Sequence, residues 1–279
     1  MKAGSQTLAL LSLSLLVALF IAWLLSQPAR ARHRRERLRN RPFPPAWQRI
    51  LHRRVRCVRR LPVDLQQQLK GHIQVFLAEK TFIGCRGLEI TDDMRVTIAA
   101  QACLLILNRP TDYYPSLRQV LVYPGAFIVD REEFDEAGVH QRERQVLSGE
   151  SWGESQVILS WEDVVEGAAV DDDGWNVVIH EFAHQLDQEK GYASGAPVLA
   201  ARDHYPRWSK VLGEEYRRLR ERSESMQPSL LDDYGATDPA EFFAVVSEVF
   251  FEQPQELAAE HPSLYRELSS FYRVDPLAW

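Results

Sequence analysis

Apolar residues occur along this chain in blocks whose spacing predicts the main elements. The first block, Thr7 to Ser26, holds 20 residues without a charge, and a helix needs about 20 such residues to cross the hydrocarbon core of a bilayer. Beyond Pro62, apolar residues return at helical spacing, and Met94 to Leu107 predicts a second apolar helix. Gln119 to Val129 and Gln156 to Trp161 have the short apolar runs of strands. We therefore expect a helix-rich α+β body with a small sheet, preceded by an N-terminal transmembrane helix.

Two later blocks are apolar but contain charged residues that a buried helix has to accommodate. Asn176 to Asp187, NVVIHEFAHQLD, is apolar on most sides and predicts a core helix. We interpret the acidic run Asp171 to Asp173 as its turn and cap, because acids favour a helix N-terminus. Asp238 is expected to cap a further helix, with Pro239 as its first residue. Any chemistry is therefore expected on these two helices.

Charge predicts the orientation of the N-terminal helix. Seven arginines and one acid follow the apolar block within residues 30–41, whereas only Lys2 precedes it. Positive flanks stay in the cytoplasm, so we expect a single-pass helix in the inner (cytoplasmic) membrane, with the body facing the cytoplasm. A cleavable signal peptide is the alternative, with Ala29 and Ala31 as a small-residue pair, but its charge bias is the reverse. We divide the chain into an anchor (1–29), a basic juxtamembrane linker (30–60) and a globular domain (61–279).

The net charge of the chain is the sum of a basic N-terminal part and an acidic remainder. Residues 1–60 carry 14 Lys and Arg against one acid, and residues 61–279 carry 19 against 38, which gives −6 in all. The acidic body argues against nucleic acid as a partner. The basic run beside a membrane span suits anionic headgroups, or topology control alone. Three cysteines without CxxC spacing indicate a reducing compartment rather than a disulfide framework.

The predicted core helix contains the pattern His-Glu-x-x-His at His180, Glu181 and His184. Positions i and i+4 share one helix face, so the two imidazoles can bind a single ion while Glu181 lies beside it. A hydrolytic zinc site requires this geometry: two nitrogen ligands, an open position for water, and a carboxylate that accepts the water's proton. The alternative is a core helix whose histidines bond to backbone carbonyls, although polar groups buried without partners are strongly unfavourable. The sequence therefore predicts a zinc-dependent peptidase.

A third protein ligand is needed, because a catalytic zinc usually takes three protein donors and leaves one position for water. Our choice is Glu241, but Asp238 to Glu241 also reads as a capping box, and the spacing leaves both interpretations open. Glu248, on the same helix face, is the rival ligand, or else an acceptor behind a ligand or the partner of an arginine. Asp187 is expected either to hold an imidazole or to end its helix. His204 is kept as an outside candidate.

These motifs together resemble one family. HEFAH at 180–184, followed by YGATDPAEFF at 234–243, is similar to the Mlc titration factor A family of zinc peptidases, which is related to the catalytic domain of anthrax lethal factor. The resemblance covers the chain from Leu61 to the C terminus. In this family a tyrosine lies seven residues before a glutamate ligand, as Tyr234 does before Glu241. The resemblance therefore implies a zincin-like fold, one Zn²⁺ held by His180, His184 and Glu241, and Tyr234 facing the reacting carbonyl.

Two functions are consistent with these features. The first is a membrane-anchored cytoplasmic zinc metallopeptidase acting on a peptide or protein substrate, with Glu181 as general base and Tyr234 as hydrogen-bond donor to the oxyanion. Its substrate is expected to pair with Gln156 to Trp161 as an edge strand. The second is a titration module that sequesters a transcriptional repressor of the Mlc type, with zinc mainly structural.

Two further points follow from the resemblance and its limits. Members of the family are similar in showing aminopeptidase-like activity on small substrates, and the best-known ones are soluble, so the membrane helix is a departure from their pattern. A third interpretation is a membrane scaffold whose His-Glu-x-x-His helix serves only as core.

Overall fold

A computed structural model describes the backbone of residues 2–134, 140–147, 149–152 and 155–279. The chain divides into two compact units, residues 1–42 and 43–279. The first unit is built on helix α1, Lys2–Arg39. The helices of the second are α2 Pro45–Arg54, α3 Val63–Glu79, α4 Asp92–Leu104, α5 Trp161–Ala169, α6 Val177–Asp187, α7 Tyr205–Glu224, α8 Pro239–Glu252, α9 Pro254–Glu260 and α10 Pro262–Tyr272. Its strands are β1 Thr81–Gly84, β2 Gln119–Tyr123, β3 Phe127–Phe134, β4 His140–Leu147, β5 Gly149–Trp152 and β6 Gln156–Ser160.

Helix α1 contains the apolar block that opens the sequence. Within the part of the chain that the structure describes, it is the one helix long and apolar enough to cross a membrane, judged by length and composition. Large apolar side chains such as Leu16, Phe20 and Trp23 are exposed along it. The predicted N-terminal apolar helix is therefore present, and six of the seven arginines that follow the apolar block lie in its C-terminal part, with Arg41 just beyond its end.

A four-stranded sheet lies in the second unit, in the order β1-β2-β6-β5. Strands β1, β2 and β6 are parallel, and β5 pairs antiparallel with β6. Strands β3 and β4 form a separate antiparallel hairpin. The predicted helix-rich body with a small sheet is confirmed, as are strands at Gln119–Tyr123 and Gln156–Ser160. The prediction that Gln156 to Trp161 is an edge strand is wrong, because β2 and β5 flank β6 on both sides.

Part of the basic run is ordered within the second unit. Residues 43–60, which the charge pattern places in the linker, include α2, and this helix packs against α4. Arg53 and Arg54 both bond to Asp93, at 2.5 Å each, and Trp47 Nε1 donates to Asp92. Burial raises the pKa of Asp93, but the two arginines lower it overall. These arginines are therefore neutralised by the acidic domain itself.

Helix α6 lies in the core, as its apolar pattern predicts. It contacts α4, α5, α8, β5 and β6. Phe182 on its inner face packs against Phe76 and Tyr114, with ring centroids 5.7 and 4.9 Å apart. The side chain of Asn176 accepts a hydrogen bond from Ile179 N and caps the helix. The acidic run is a turn, as predicted, but the predicted aspartate cap is wrong because Asn176 takes that position.

A buried hydrogen bond between a histidine and a carboxylate joins α7 to the residue that precedes α10. His261, which precedes α10, lies 2.7 Å through Nδ1 from Glu215 Oε2 on α7, and Arg218 lies 3.2 Å from the same carboxylate. Burial raises the pKa of Glu215, but the hydrogen bond to His261 and the nearby positive charges lower it overall. The ionised carboxylate therefore stabilises this packing.

The lowered pKa of Glu215 predicts acid sensitivity. A carboxyl whose pKa is lower in the folded state stabilises the protein fully above its unfolded pKa, about 4.3 for glutamate, and loses that contribution as pH falls through the folded value. We expect Glu215→Gln to be less stable than the wild type near neutral pH, and the difference to close below about pH 4. Thermal unfolding of the full chain in detergent micelles measures this difference. Glu214→Gln, which changes an exposed neighbour, should shift stability by less than about 0.5 kcal/mol; a Glu215→Gln deficit that stays constant down to low pH would contradict the assignment.

Candidate metal centre

Helix α6 presents two imidazoles on one face. His180 and His184 are one turn apart, with ring centroids 4.9 Å apart and planes at 78°. His184 is buried and His180 nearly so. The spacing of four residues places both rings toward α8, because i and i+4 stack along a helix.

The third donor comes from the first turn of α8. Glu241 Oε2 lies 3.0 Å from His180 Nε2 and 3.3 Å from His184 Nε2. One ligand atom from each of the three residues lies within 4.8 Å of the others. Side chains that are 57 to 61 positions apart in the sequence therefore converge on one point.

The structure supports one of the two contacts of the predicted capping box, the cap formed by Asp238. Asp238 Oδ1 accepts hydrogen bonds from Ala240 N and Glu241 N, so the aspartate caps α8 as predicted. The carboxylate of Glu241 faces the imidazoles instead of completing a capping box. The local pattern at Asp238 therefore sets the start of α8. The position of the Glu241 carboxylate depends instead on a contact with α6, which is distant in the sequence.

The charges of the site reinforce one another. Burial raises the pKa of Glu241, but the hydrogen bonds and charges of His180 and His184 lower it well below the usual range. Burial lowers the pKa of His180, yet the carboxylates of Glu248, Glu241 and Glu181 raise it well above its usual value. Several carboxylates thus surround two imidazoles in a partly buried space.

Glu248 lies behind His180 rather than beside the ligand point. Its Oε1 is 2.7 Å from His180 Nδ1, and its Oε2 accepts a 2.5 Å hydrogen bond from Asn176 N. Both oxygens are therefore used, one to orient the ring and one to hold the start of α6. Of the interpretations left open by the sequence, the geometry favours an acceptor behind His180, the candidate ligand.

A second buried layer lies further from the imidazoles. Asn176 Nδ2 donates to Glu252 Oε1 at 2.9 Å and to Gly167 O at 3.0 Å. Burial raises the pKa of Glu252 to about 10, and nearby acids add to this effect. Sequence reasoning missed both residues. An asparagine directly before an apolar helix, and a glutamate four positions after Glu248, are the signals that point to them.

The two predicted catalytic side chains lie beside the histidines. Glu181 is 5% exposed and close enough for its charge to raise the pKa of His180. The ring of Tyr234 is centred 6.0 Å from that of His180, and the residue is 50% exposed. The turn Asp233–Ala236 that carries Tyr234 packs against α8 and α7. The site is therefore buried on the Glu181 side and open to solvent on the Tyr234 side.

Two weaker candidates lie elsewhere. Asp187 Oδ2 accepts 2.6 Å hydrogen bonds from Ser194 N and Gly195 N, so it anchors the segment after α6. Asp187 is also the last residue of α6, so of the two interpretations that the sequence left open, the structure supports the end of the helix. His204 lines a cavity beside α7 and α10 and is not part of the histidine and glutamate group.

The chemistry of the donor set fits a divalent cation. Two imidazole nitrogens and one carboxylate oxygen are the ligand types that zinc takes in hydrolytic sites, with one position left for water. The second nitrogen of His180 already has a carboxylate acceptor, which is the usual support for a metal-bound imidazole. Among the side chains that the structure describes, no fourth donor joins the group.

A helix with the His-Glu-x-x-His pattern, completed by a glutamate from a second helix, is the arrangement of metallopeptidases. The chain belongs to the family described as glucose-regulated metallo-peptidase M90, whose model matches residues 29–273. The predicted family resemblance is thus confirmed.

The individual relatives differ in how much of the chain they match. An uncharacterized protein of Synechocystis sp. is 42% identical over 258 residues, which is 92% of this chain and 94% of the relative. Mlc titration factor A of Klebsiella pneumoniae is 38% identical over 216 residues, 76% of this chain and 80% of that protein. Mlc titration factor A of Cronobacter sakazakii is 36% identical over 217 residues, 77% and 81%. The Synechocystis match of 258 residues exceeds the 237 residues of 43–279, so it extends into the N-terminal unit.

The position of Glu248 predicts an effect on metal affinity. Replacing an acceptor behind a ligand histidine typically weakens metal binding about 10- to 100-fold, so we expect Glu248→Gln to show a loss of that size. Competition with a chromophoric chelator on the full chain measures it. Glu256→Gln, on an exposed carboxylate, is the control and should bind metal as the wild type does. Unchanged affinity in Glu248→Gln would rule out the orienting role.

Proposed function

We propose that this chain is a membrane-anchored zinc metallopeptidase of zincin-like fold. Its zinc ligands are His180, His184 and Glu241, and its catalytic residues are Glu181 and Tyr234. The observation that carries the proposal is the approach of the two Nε2 atoms and one Glu241 oxygen to a single point. The membership in a metallopeptidase family supports the same reaction class.

The roles of the side chains follow from their chemistry. When bound, zinc lowers the pKa of a water molecule and polarises a carbonyl. Glu181 accepts a proton from the water that attacks the peptide carbonyl carbon, and then passes this proton to the leaving amine. Tyr234 donates a hydrogen bond to the oxygen on which negative charge develops. Glu248 keeps His180 in one orientation throughout.

Strand β5 replaces β6 as the candidate for substrate alignment. It is the outermost strand of the four on that side among the residues described, and it contacts α6. A terminal strand has free backbone groups that an extended peptide can pair with. The position of the antiparallel strand β5 beside α6 also supports the proposal of a zincin-like fold.

We further propose that α1 anchors the enzyme in the inner membrane with the catalytic domain in the cytoplasm. An arginine at the centre of a membrane helix disfavours insertion by about 2.5–3.5 kcal/mol, so the double variant Leu16→Arg and Leu19→Arg should release the chain from membranes washed with alkaline carbonate. The wild type and the matched Leu16→Ile and Leu19→Ile chain should stay in the membrane pellet. Release of all three chains alike would exclude the anchor.

Glu181→Gln tests the peptidase reaction. Loss of a general base lowers the rate about 10²- to 10⁴-fold, while the ligand set is left intact. We therefore expect kcat for peptide hydrolysis by the full chain to fall by this factor, with one zinc per chain retained. Glu162→Gln, on an exposed carboxylate, should keep full activity. Undiminished hydrolysis by Glu181→Gln, or a wild type without metal, would end the proposal.

Tyr234→Phe tests the oxyanion role. Removal of one such donor lowers kcat about 10²- to 10³-fold, and the ring itself is kept, so KM should change little. Steady-state kinetics on the full chain separates the two constants. Tyr192→Phe removes a hydroxyl from an exposed tyrosine that is not one of the proposed site residues and serves as the control. A rise in KM of about 10²- to 10³-fold with kcat unchanged would instead assign Tyr234 to substrate binding.

A second candidate function is titration of a transcriptional repressor. The names of relatives at 36–38% identity, Mlc titration factor A, favour it. In this role the metal supports the fold and hydrolysis is not required. Glu181→Gln distinguishes the two: if titration is the function, the variant still co-purifies with a repressor of the Mlc type, while His180→Ala does not. If no such repressor co-purifies with the wild type, this candidate is excluded.

A further inference from the structure

A cavity of about 230 Å³ lies apart from the metal centre. It is bounded by α7, by α10, by the segment that follows α6 and by the segment after α4. Its apolar walls include the buried rings of Trp208 and Phe271, together with Val198 and Leu199. None of the five residues proposed for the metal centre lines it. The cavity is large enough for a small organic molecule with an apolar body.

A partly buried guanidinium forms one side of this cavity. Arg109 lies over the ring of Phe271, 3.8 Å from its centroid, and its Nη1 donates to Phe271 O at 2.8 Å. Burial is the largest influence on Arg109 and lowers its pKa. Among the described residues, no carboxylate forms an ion pair with Arg109. A fork of five donors that makes one hydrogen bond to protein retains donors for a further acceptor.

A second arginine lies at the rim. Arg273 ends α10 in the left-handed conformation, with φ of 57°, and its exposed side chain forms no ion pair with the acids that the structure describes. Two acids also line the cavity. Glu267 is ion-paired with Arg207, and Glu189 acts on Arg109 as a more distant charge. Among the described residues neither arginine of the lining forms an ion pair with an acid, so both guanidinium groups can bind an anion in the cavity.

We propose that this cavity is a binding site for a small monocarboxylate with an apolar body, held by Arg109 and Arg273. A guanidinium binds a carboxylate through two parallel hydrogen bonds. The aromatic and aliphatic walls take up the rest of the molecule. Inorganic phosphate has no apolar body to contact these walls, so a carboxylate with such a body fits the cavity better.

The cavity wall is hydrogen-bonded to the segment after α6. Trp208 Nε1 donates to Gly195 O at 3.0 Å, and Gly195 N donates to Asp187 Oδ2 at 2.6 Å. Asp187 is the last residue of α6. The wall is therefore fixed in place by the protein's own contacts, which is a property of a preformed site.

Calorimetric titration of the full chain in detergent micelles, at constant ionic strength, tests the proposal with benzoate as probe. The protein is first stripped of metal by dialysis against a chelator, so that carboxylate binding to a metal ion does not contribute. Arg273→Gly removes the rim charge at a left-handed position that glycine adopts freely. Ser270→Phe fills the cavity from its exposed side without changing charge. Arg266→Ala, on an exposed arginine of α10 outside the cavity, is the matched control.

We expect saturable benzoate binding to the wild type and to Arg266→Ala, and at least tenfold weaker binding to Arg273→Gly and to Ser270→Phe. Neutral benzamide and inorganic phosphate should each bind the wild type at least tenfold more weakly than benzoate. The proposal is overturned if the wild type does not bind benzoate saturably, if both cavity variants bind it as the wild type does, or if benzamide or phosphate binds equally well. Circular dichroism checks that each variant is folded before titration.

Discussion

The contact between α6 and α8 is the constraint on which the candidate metal centre depends. Glu248 uses both carboxylate oxygens across this contact, one on the ring of His180 and one on the backbone at Asn176. The same contact brings Glu241 to the two imidazoles. A shift of one helix along the other would therefore break the orientation of a ligand, the start of α6 and the third donor together.

Burial makes this contact expensive unless the charges are balanced. Helix α8 carries Glu241, Glu248 and Glu252 toward α6, where Glu181 adds a fourth carboxylate. Hydrogen bonds to Asn176 and to the imidazoles satisfy part of this set, and burial raises the pKa of Glu252 and of Glu248, which favours their neutral forms. Each remaining ionised carboxylate needs a partner in this region of low dielectric, and the proposed function assigns a divalent cation to the point shared by the three donors. The aromatic residues of α8, among them Phe243 and Phe250, pack in the core and hold the helix in this position.

The sequence predicts those features whose cause is local. The His-Glu-x-x-His spacing needs only the helical repeat, and the cap at Asp238 needs only its first turn. The choice between Glu241 and Glu248 required the crossing of two helices, which no local pattern encodes, and the family resemblance supplied it. The wrong prediction that β6 is an edge strand has the same origin. The residues of a strand do not indicate whether another strand, here β5, pairs with its free side. Likewise Asp187 serves a loop eight residues away, which its place at a helix end did not indicate.

The geometry also bears on the choice between the two proposed uses of a metal, catalytic and structural. A structural zinc site is closed by four protein ligands, whereas a catalytic site has three and an open position. The described side chains give three donors here. On one side of them lies Glu181, a carboxylate that is not part of the donor group, and on the other lies Tyr234, half exposed beside His180. A site built only for stability has no use for a buried acid and a half-exposed hydroxyl beside the histidines. In the proposed peptidase reaction these two groups move a proton and meet an oxyanion, so their positions support hydrolysis as the first of the two proposed functions.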